Sequence, residues 1–254
     1  MKRFTFYGFV FATLAVAAFI YSCSSSKVGQ GQGAEVTVIE KRFSDEGASM
    51  EISFTAGKAH NYPTFAVWLE SVEGQMLQTV FVTKSIATGY YKFGDAGDGH
   101  WLKVPGKSIR PAALPIWLHK RQQLEGVALM PTPEAPVADA YTGATPAGNL
   151  KINATSKASL PQRFRVVAEV NQPWDWNNAW NNDKYPGNSD YKTSAQPSLL
   201  YMVEIDLNNL MPEYHLNVIG HGHYAGADGK LYTDISGITS AKEIFSQIKL
   251  TIKK

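Results

Sequence analysis

The strongest constraint on the fold is a period of two. Residues 35–40 (EVTVIE), 49–54 (SMEISF) and 163–170 alternate apolar and polar side chains, and residues 64–70 and 76–82 add a pair of more apolar runs. Residues 199–207, 215–220 and 245–252 continue the series. Successive residues of an extended chain point to opposite faces, so each run offers one face to a core and the other to water. Gly, Pro and Asn clusters between the runs mark turns. Residues 71–75, with Gly74 in the turn, join two of the runs as a hairpin. Only two segments read as helical: residues 115–124, opened by Pro115, and a short one over residues 239–244 with a Ser or Thr cap. No internal repeat is visible. Strands at this spacing predict an all-β fold, an immunoglobulin-like sandwich with long loops and one or two short helices.

The N-terminus reads as a targeting segment. Lys2 and Arg3 precede an almost wholly apolar run over residues 4–21, which ends in Ser22-Cys23 and three serines. A cleavage signal follows at once and no second hydrophobic segment appears, so residues 1–22 are expected to be a secretory signal rather than a membrane span. Cys23 is the only cysteine. That excludes a disulfide within one molecule and a cysteine-based metal cluster. Ile20-Tyr21-Ser22-Cys23 resembles a bacterial lipobox, with Tyr21 bulkier than the usual residue. The resemblance implies cleavage before Cys23 and addition of diacylglyceryl and acyl (palmitate-type) chains there. Several chains on one residue hold a protein stably to membrane lipid. Ser24 after the cysteine points to the outer membrane, on the periplasmic side. Residues 23–34 form the lipidated cysteine and a Ser/Gly/Gln linker. Residues 35–254 form the sandwich domain, which is large enough for a real core. The chain has 24 basic and 22 acidic residues, and loss of Lys2 and Arg3 brings the two to equality. Such balance excludes nucleic acid as a partner, which needs a basic footprint.

The stretch Asp139-Ala140-Tyr141-Thr142-Gly143-Ala144-Thr145-Pro146 reads D-x-x-[ST]-G-A-T. It resembles the acceptor motif of proteins that carry FMN covalently on the last threonine, here Thr145. In that family an ApbE-type flavin transferase moves FMN from FAD onto the hydroxyl. An alcohol attacks a pyrophosphate only when a base and a metal ion activate it, and the transferase would supply both. Gly143 and Ala144 carry almost no side chain, so the backbone can enter a narrow active site. Pro146 fixes the backbone beyond the acceptor. Thr142 stands where Ser is also allowed. Asp139 would be read by the transferase, or would orient the loop through a side-chain-to-backbone hydrogen bond. Without the resemblance, the same residues read as an ordinary Thr-Gly turn between strands.

The resemblance extends along residues 35–254. His60-Asn61-Tyr62-Pro63, the runs AVWLES and GQMLQTVFVTK, Leu114-Pro115-Ile116-Trp117, Ala168-Glu169-Val170-Asn171, Gln196-Pro197-Ser198-Leu199-Leu200-Tyr201 and GHGHYAGADGKLYTDISGITSAKEI are similar to an uncharacterised extracytosolic domain family. That family is encoded near PepSY-type membrane reductases and flavin transferases, and is sometimes misnamed as a flagellar hook protein. The implied function is a lipid-anchored flavoprotein in the bacterial envelope that exchanges electrons with a PepSY-type reductase. It would be a carrier subunit rather than an independent enzyme.

Three further constellations stand out. His221-Gly222-His223, with His215, Asp228 and Asp234 nearby, could direct two imidazoles to one face of a strand. They read as a metal pair lacking a fixed third ligand, as polar residues at a strand end, or as groups facing the flavin. Trp174, Trp176 and Trp180 alternate with Asn and Asp. Their indoles could stack on isoalloxazine, bind glycan, or pack over the end of the sandwich. Residues 95–100 (DAGDGH) lack the spacing of a calcium loop and read as a turn. No nucleophile elbow, phosphate loop or Rossmann glycine pattern is present. The rival to the electron carrier is a non-redox binding lipoprotein that uses the Trp loop on a glycan or protein partner. A structural hook-cap-like role rests on fold analogy alone.

Overall fold

The computed structural model describes residues 36–97, 100–157 and 160–253. The signal segment, Cys23 and the linker lie outside the described residues. In chain order the elements are β1 (Val36–Arg42), β2 (Ser49–Ala56), β3 (Thr64–Ser71), β4 (Met76–Thr83), α1 (Lys84–Thr88), β5 (Tyr90–Tyr91), β6 (Asp95–Gly97), β7 (His100–Trp101), β8 (Gly106–Lys107) and α2 (Pro115–Glu125). They continue with β9 (Thr142–Gly143), β10 (Asn149–Thr155), β11 (Arg163–Asn171), α3 (Ser189–Ser194), β12 (Leu199–Asp206), β13 (Tyr214–His215), β14 (Asn217–His221) and β15 (Phe245–Lys253). Single 3-10 turns occupy Asp139–Tyr141 and Ser240–Glu243.

Two sheets form the sandwich. The first has strand order β1-β10-β2-β15-β13, the second β14-β12-β11-β3-β4-β9. The alternation explains their facing surfaces. Met50, Ile52 and Phe54 of β2, Leu150, Ile152 and Ala154 of β10, and Ile248, Leu250 and Ile252 of β15 point inward from the first sheet. They meet Phe65, Val67 and Leu69 of β3 and Phe164, Val166, Ala168 and Val170 of β11. Each fully buried large apolar side chain contributes about 1.5–3 kcal/mol.

The second sheet is covered on its outer face as well. Ala66, Trp68, Val82, Val167 and Leu200 pack there against Ile86 and Ala87 of α1 and Ile116, Trp117 and Leu118 of α2. This is why β3 is buried from Thr64 to Glu70 without interruption. The indoles of this layer keep polar partners. Trp68 Nε1 donates to Glu70 at 3.0 Å and Trp117 Nε1 to Thr79 Oγ1 at 3.2 Å. The molecule is thus an all-β sandwich with long loops and, among the described residues, three short helices, and one face of the sandwich carries a helical layer.

Three local expectations change. Residues 215–220 are not one strand. The chain switches sheets at Leu216, so His215 pairs with β15 while Asn217–His221 pairs with β12. In place of the expected bare turn, Asp95–Gly97 and His100–Trp101 pair antiparallel as β6 and β7. The helix expected over residues 239–244 is a 3-10 turn. β10, which the alternation did not flag, lies between β1 and β2 and pairs parallel to β1. Ala34–Lys254 cluster as one compact unit. No helix among the described residues is long and apolar enough to cross a membrane.

Candidate functional site: a cleft at one end of the second sheet

Four chain segments leave the second sheet at the same end. Thr64 opens β3 opposite Asn171, which closes β11, while Thr83 closes β4 opposite Gly143, which closes β9. The loops beyond these residues surround a cleft of about 490 Å³. That is within the range of ~300–1,000 Å³ usual for small-molecule sites. Asn61, Tyr62, Ser85, Tyr91, Lys92, Phe93, Arg110, Thr145, Pro173 and Trp174 contribute to its wall.

The loop that presents Thr145 is clamped by β1. Ile39, Lys41 and Phe43 alternate, so they share a face. Lys41 Nζ donates to the Thr142 carbonyl at 2.7 Å and to the Asp139 carbonyl at 3.4 Å. Phe43 stacks on Tyr141 with ring centroids 5.1 Å apart. Burial lowers the Lys41 pKa, and the nearby Asp139 charge opposes that shift. Asp139 organises the loop through its backbone carbonyl, which also accepts from the Thr142 amide and the Thr142 hydroxyl. Its carboxylate makes no hydrogen bond among the described residues and is exposed. The expected side-chain-to-backbone bond is therefore replaced by a backbone one.

Gly143 has a role inside its own domain. A Cβ at this position would collide with the Phe81 ring and crowd Ile39. The small residue thus lets β9 lie against β4. Ala144 is exposed, Thr145 half-buried and Pro146 buried. The two hydroxyls of the motif differ. Thr142 Oγ1 turns back on Asp139 at 3.4 Å, whereas Thr145 Oγ1 has no protein partner among the described residues and Thr145 lines the cleft.

The opposite wall is aromatic and strained. Tyr62 and Trp174 have φ of 50° and 58°. Bulky residues avoid this region, and such strain persists only where the surroundings impose it. The Asn61 amide donates to the buried Gln172 side chain at 2.7 Å, which pins the Tyr62 turn. The Trp174 and Asp175 amides donate to the Thr193 and Ser194 carbonyls, which lays this segment along the end of α3. Tyr62 is 63% exposed, so its ring forms the rim. The Trp174 ring lies 5.9 Å from that of Phe93 and 5.8 Å from that of Trp101.

Arg110 sits among these rings and is 3% exposed. Its guanidinium lies 4.0 Å from the Tyr91 ring centroid, 5.0 Å from that of Trp101 and 5.3 Å from that of Trp174. Nε donates to Ser108 Oγ and Nη2 to the Phe93 carbonyl. Burial lowers its pKa, and Tyr91 and Asp95 partly offset that. The role of this residue was not visible in the sequence, because its aromatic partners are 9 to 64 positions away and share no motif with it.

The other candidates gather elsewhere. Trp176 and Trp180 pack on Tyr191, with ring centroids at 5.7 and 6.3 Å. Of the three tryptophans, only Trp174 lines the cleft. His221 is buried, stacks on Tyr232 at 5.5 Å and contacts Trp180 at 6.3 Å. His223 Nδ1 accepts from the Ala225 and Ala227 amides, which commits that nitrogen to the backbone. Neither imidazole lines the cleft. Among the described residues no group of three or more His, Cys, Asp or Glu could hold a metal ion.

Gly222 between the two histidines has its own explanation. A Cβ there would meet Pro115 and Ser198 beside Glu169. Glu169 is fully buried in β11. Its carboxylate accepts from the Ile116 amide at 3.2 Å, the Trp117 amide at 2.8 Å and Ser198 Oγ at 2.6 Å. It therefore caps α2 from a neighbouring strand, satisfying amides that the helix itself leaves open. Burial nevertheless pushes its pKa up to about 7, against the pull of those three hydrogen bonds and of Lys120.

No family model, curated protein or solved structure matches the chain. The cleft offers a free hydroxyl at one wall, aromatic rings at another and a buried cation among those rings. A flat, electron-poor ring tethered through a phosphate to Thr145 fits this set of groups.

Proposed function

We propose that the protein is a lipid-anchored extracytosolic flavoprotein that carries FMN esterified to Thr145. The observation that supports this reading best is that Thr145 of the D-x-x-[ST]-G-A-T motif faces the same cleft as Trp174, Phe93 and Arg110. A motif that was merely a turn has no reason to place its last threonine in the wall of an aromatic cleft. When bound, the isoalloxazine supplies reversible electron transfer, which no side chain of this protein can supply. The protein's own residues hold and orient. Lys41, Phe43 and Ile39 fix the acceptor loop, Pro146 anchors its far end, and Tyr62, Phe93 and Trp174 form surfaces on which a ring can stack. A covalent tether suits a protein facing the outside, since it keeps the ring at high local concentration where a dissociable one would be lost. A flavin transferase would load it, a PepSY-type membrane reductase would exchange electrons with it, and Cys23 would hold it to lipid.

The test is intact mass after co-expression with an active flavin transferase. The wild type is expected to gain the mass of FMN less one water, with a fluorescent band surviving on a denaturing gel. Thr145→Ala removes both signals and Thr142→Ser keeps them. A wild-type chain with neither signal reduces the motif to a turn and ends the electron-carrier reading.

A further inference from the structure

Arg110 is the one group in the cleft wall whose position needs a reason beyond packing. An arginine this deeply buried normally faces a carboxylate, because an uncompensated buried charge is costly. Among the described residues it has no ion-pair partner. Its compensation comes from the faces of Tyr91, Trp101 and Trp174 and from two neutral acceptors, Ser108 and the Phe93 carbonyl. Nη1 hydrogen-bonds nothing among the described residues, and the residue borders the cleft. Tyr91 also lines the cleft, with its hydroxyl buried behind the wall. The free Nη1 of Arg110 is therefore the polar group left at the aromatic end.

The placement distinguishes the two anionic parts of a tethered flavin. The phosphate is fixed at Thr145 by its ester bond. The flat ring belongs where the aromatic surfaces are, and Arg110 is packed among those surfaces. From this juxtaposition we infer that Arg110 is the counter-charge of the reduced isoalloxazine ring. The inference rests on the proposed attachment at Thr145. Two electrons from a haem or flavin centre of a membrane reductase, together with one proton from solvent placed on the central ring nitrogen, leave the ring with one negative charge. That charge spreads over the pyrimidine edge. A fixed cation beside it favours the charged form and disfavours a second proton. The charged and titratable groups that face Arg110 are Tyr91 and Asp95, with Lys92 in the cleft wall. Asp95 works against the effect and Lys92 with it.

The experiment is a spectroelectrochemical titration of the loaded protein, with loading first confirmed by intact mass. In Arg110→Gln the equilibrium is expected to move toward the oxidised form by tenfold or more, which is about 30 mV lower for a two-electron couple. Arg110→Lys keeps a charge and moves less. A second measurement uses the wild type alone, so it survives a variant that fails to fold. Between about pH 5 and 6.5 the potential is expected to change by about 30 mV per pH unit, one proton for two electrons. A slope near 60 mV per pH unit over that range means a second proton enters freely and overturns the inference. So does an unchanged potential in a fully loaded Arg110→Gln protein. A wild type that takes no FMN overturns the attachment at Thr145 instead, and the role of Arg110 with it.

Discussion

At the residue scale, neighbours in the sequence turn out to have separate duties. Trp174, Trp176 and Trp180 look equivalent as text, since each is an indole in a polar segment. The fold divides them: Trp174 turns toward the cleft at φ 58°, and the other two pack on Tyr191. A positive φ at a bulky residue follows from tertiary contacts, and no local pattern announces it. Stacked indole quenches an excited flavin. In flavin-loaded protein, Trp174→Phe is therefore expected to brighten flavin emission, while Trp176→Phe and Trp180→Phe leave it near the wild-type level. Equal brightening by Trp180→Phe would place the ring elsewhere. Gly143 gives a second case. Its smallness was readable in the motif, but its contact with Phe81 was not, because that contact depends on β9 lying parallel to β4. Gly143→Ala is expected to lower stability by about 1–3 kcal/mol by overpacking. Urea denaturation of unloaded protein measures that loss separately from any loss of loading.

At the scale of elements, period-2 alternation revealed most strands, because a half-buried strand displays its two faces in its own sequence. It failed where burial is two-sided or weakly apolar. β3 is buried on both faces because α1 and α2 cover the outside of its sheet, and its near-continuous apolar run gives no hint of which side is which. β10 alternates in the structure, but Ala154 and two asparagines blur its pattern in the text. β1 is the informative element. Its outward residues Val36 and Val38 are exposed, and the face it does use, Ile39, Lys41 and Phe43, is spent on the acceptor loop. Lys41→Met keeps the aliphatic stem and removes the 2.7 Å bond to the Thr142 carbonyl, worth about 1.5–3 kcal/mol locally as a bond to a charged group, together with the longer, exposed contact to Asp139. Amide hydrogen exchange over residues 139–145 is expected to accelerate in that variant, with the central strands β2, β3 and β11 unchanged. Uniform acceleration across the domain would show that Lys41 supports the fold as a whole instead of the loop.

For the whole molecule, the helical layer meets the sandwich at a fully buried carboxylate as well as through apolar packing, and that carboxylate makes stability depend on pH in an unusual direction. Glu169 has no route to solvent and caps α2 through the Ile116 and Trp117 amides. Burial raises its pKa from 4.5 to about 7. The folded state therefore binds the Glu169 proton more tightly than the unfolded chain does. Its stabilising contribution is complete below about pH 4.5, declines as pH rises toward 7, and is gone above that. The full span is on the order of 3 kcal/mol. His60 acts in the opposite sense, since burial lowers its pKa and its contribution grows as pH rises. The wild-type curve is a sum of such terms, so the informative quantity is the difference between two proteins. Glu169→Gln removes the titration. Its carbonyl oxygen in the Oε1 position still accepts from the Ile116 amide and Ser198 Oγ, while the Trp117 amide, which donates to Oε2, loses its acceptor, a cost that does not vary with pH. The Tm of the variant is expected to fall less than that of the wild type between about pH 4.5 and 7, and the two curves are expected to run parallel above pH 7.5. Parallel curves over the whole range would mean that the three hydrogen bonds outweigh burial and that Glu169 is already ionised in the folded protein at pH 5. The α2 cap would then be a charged one throughout.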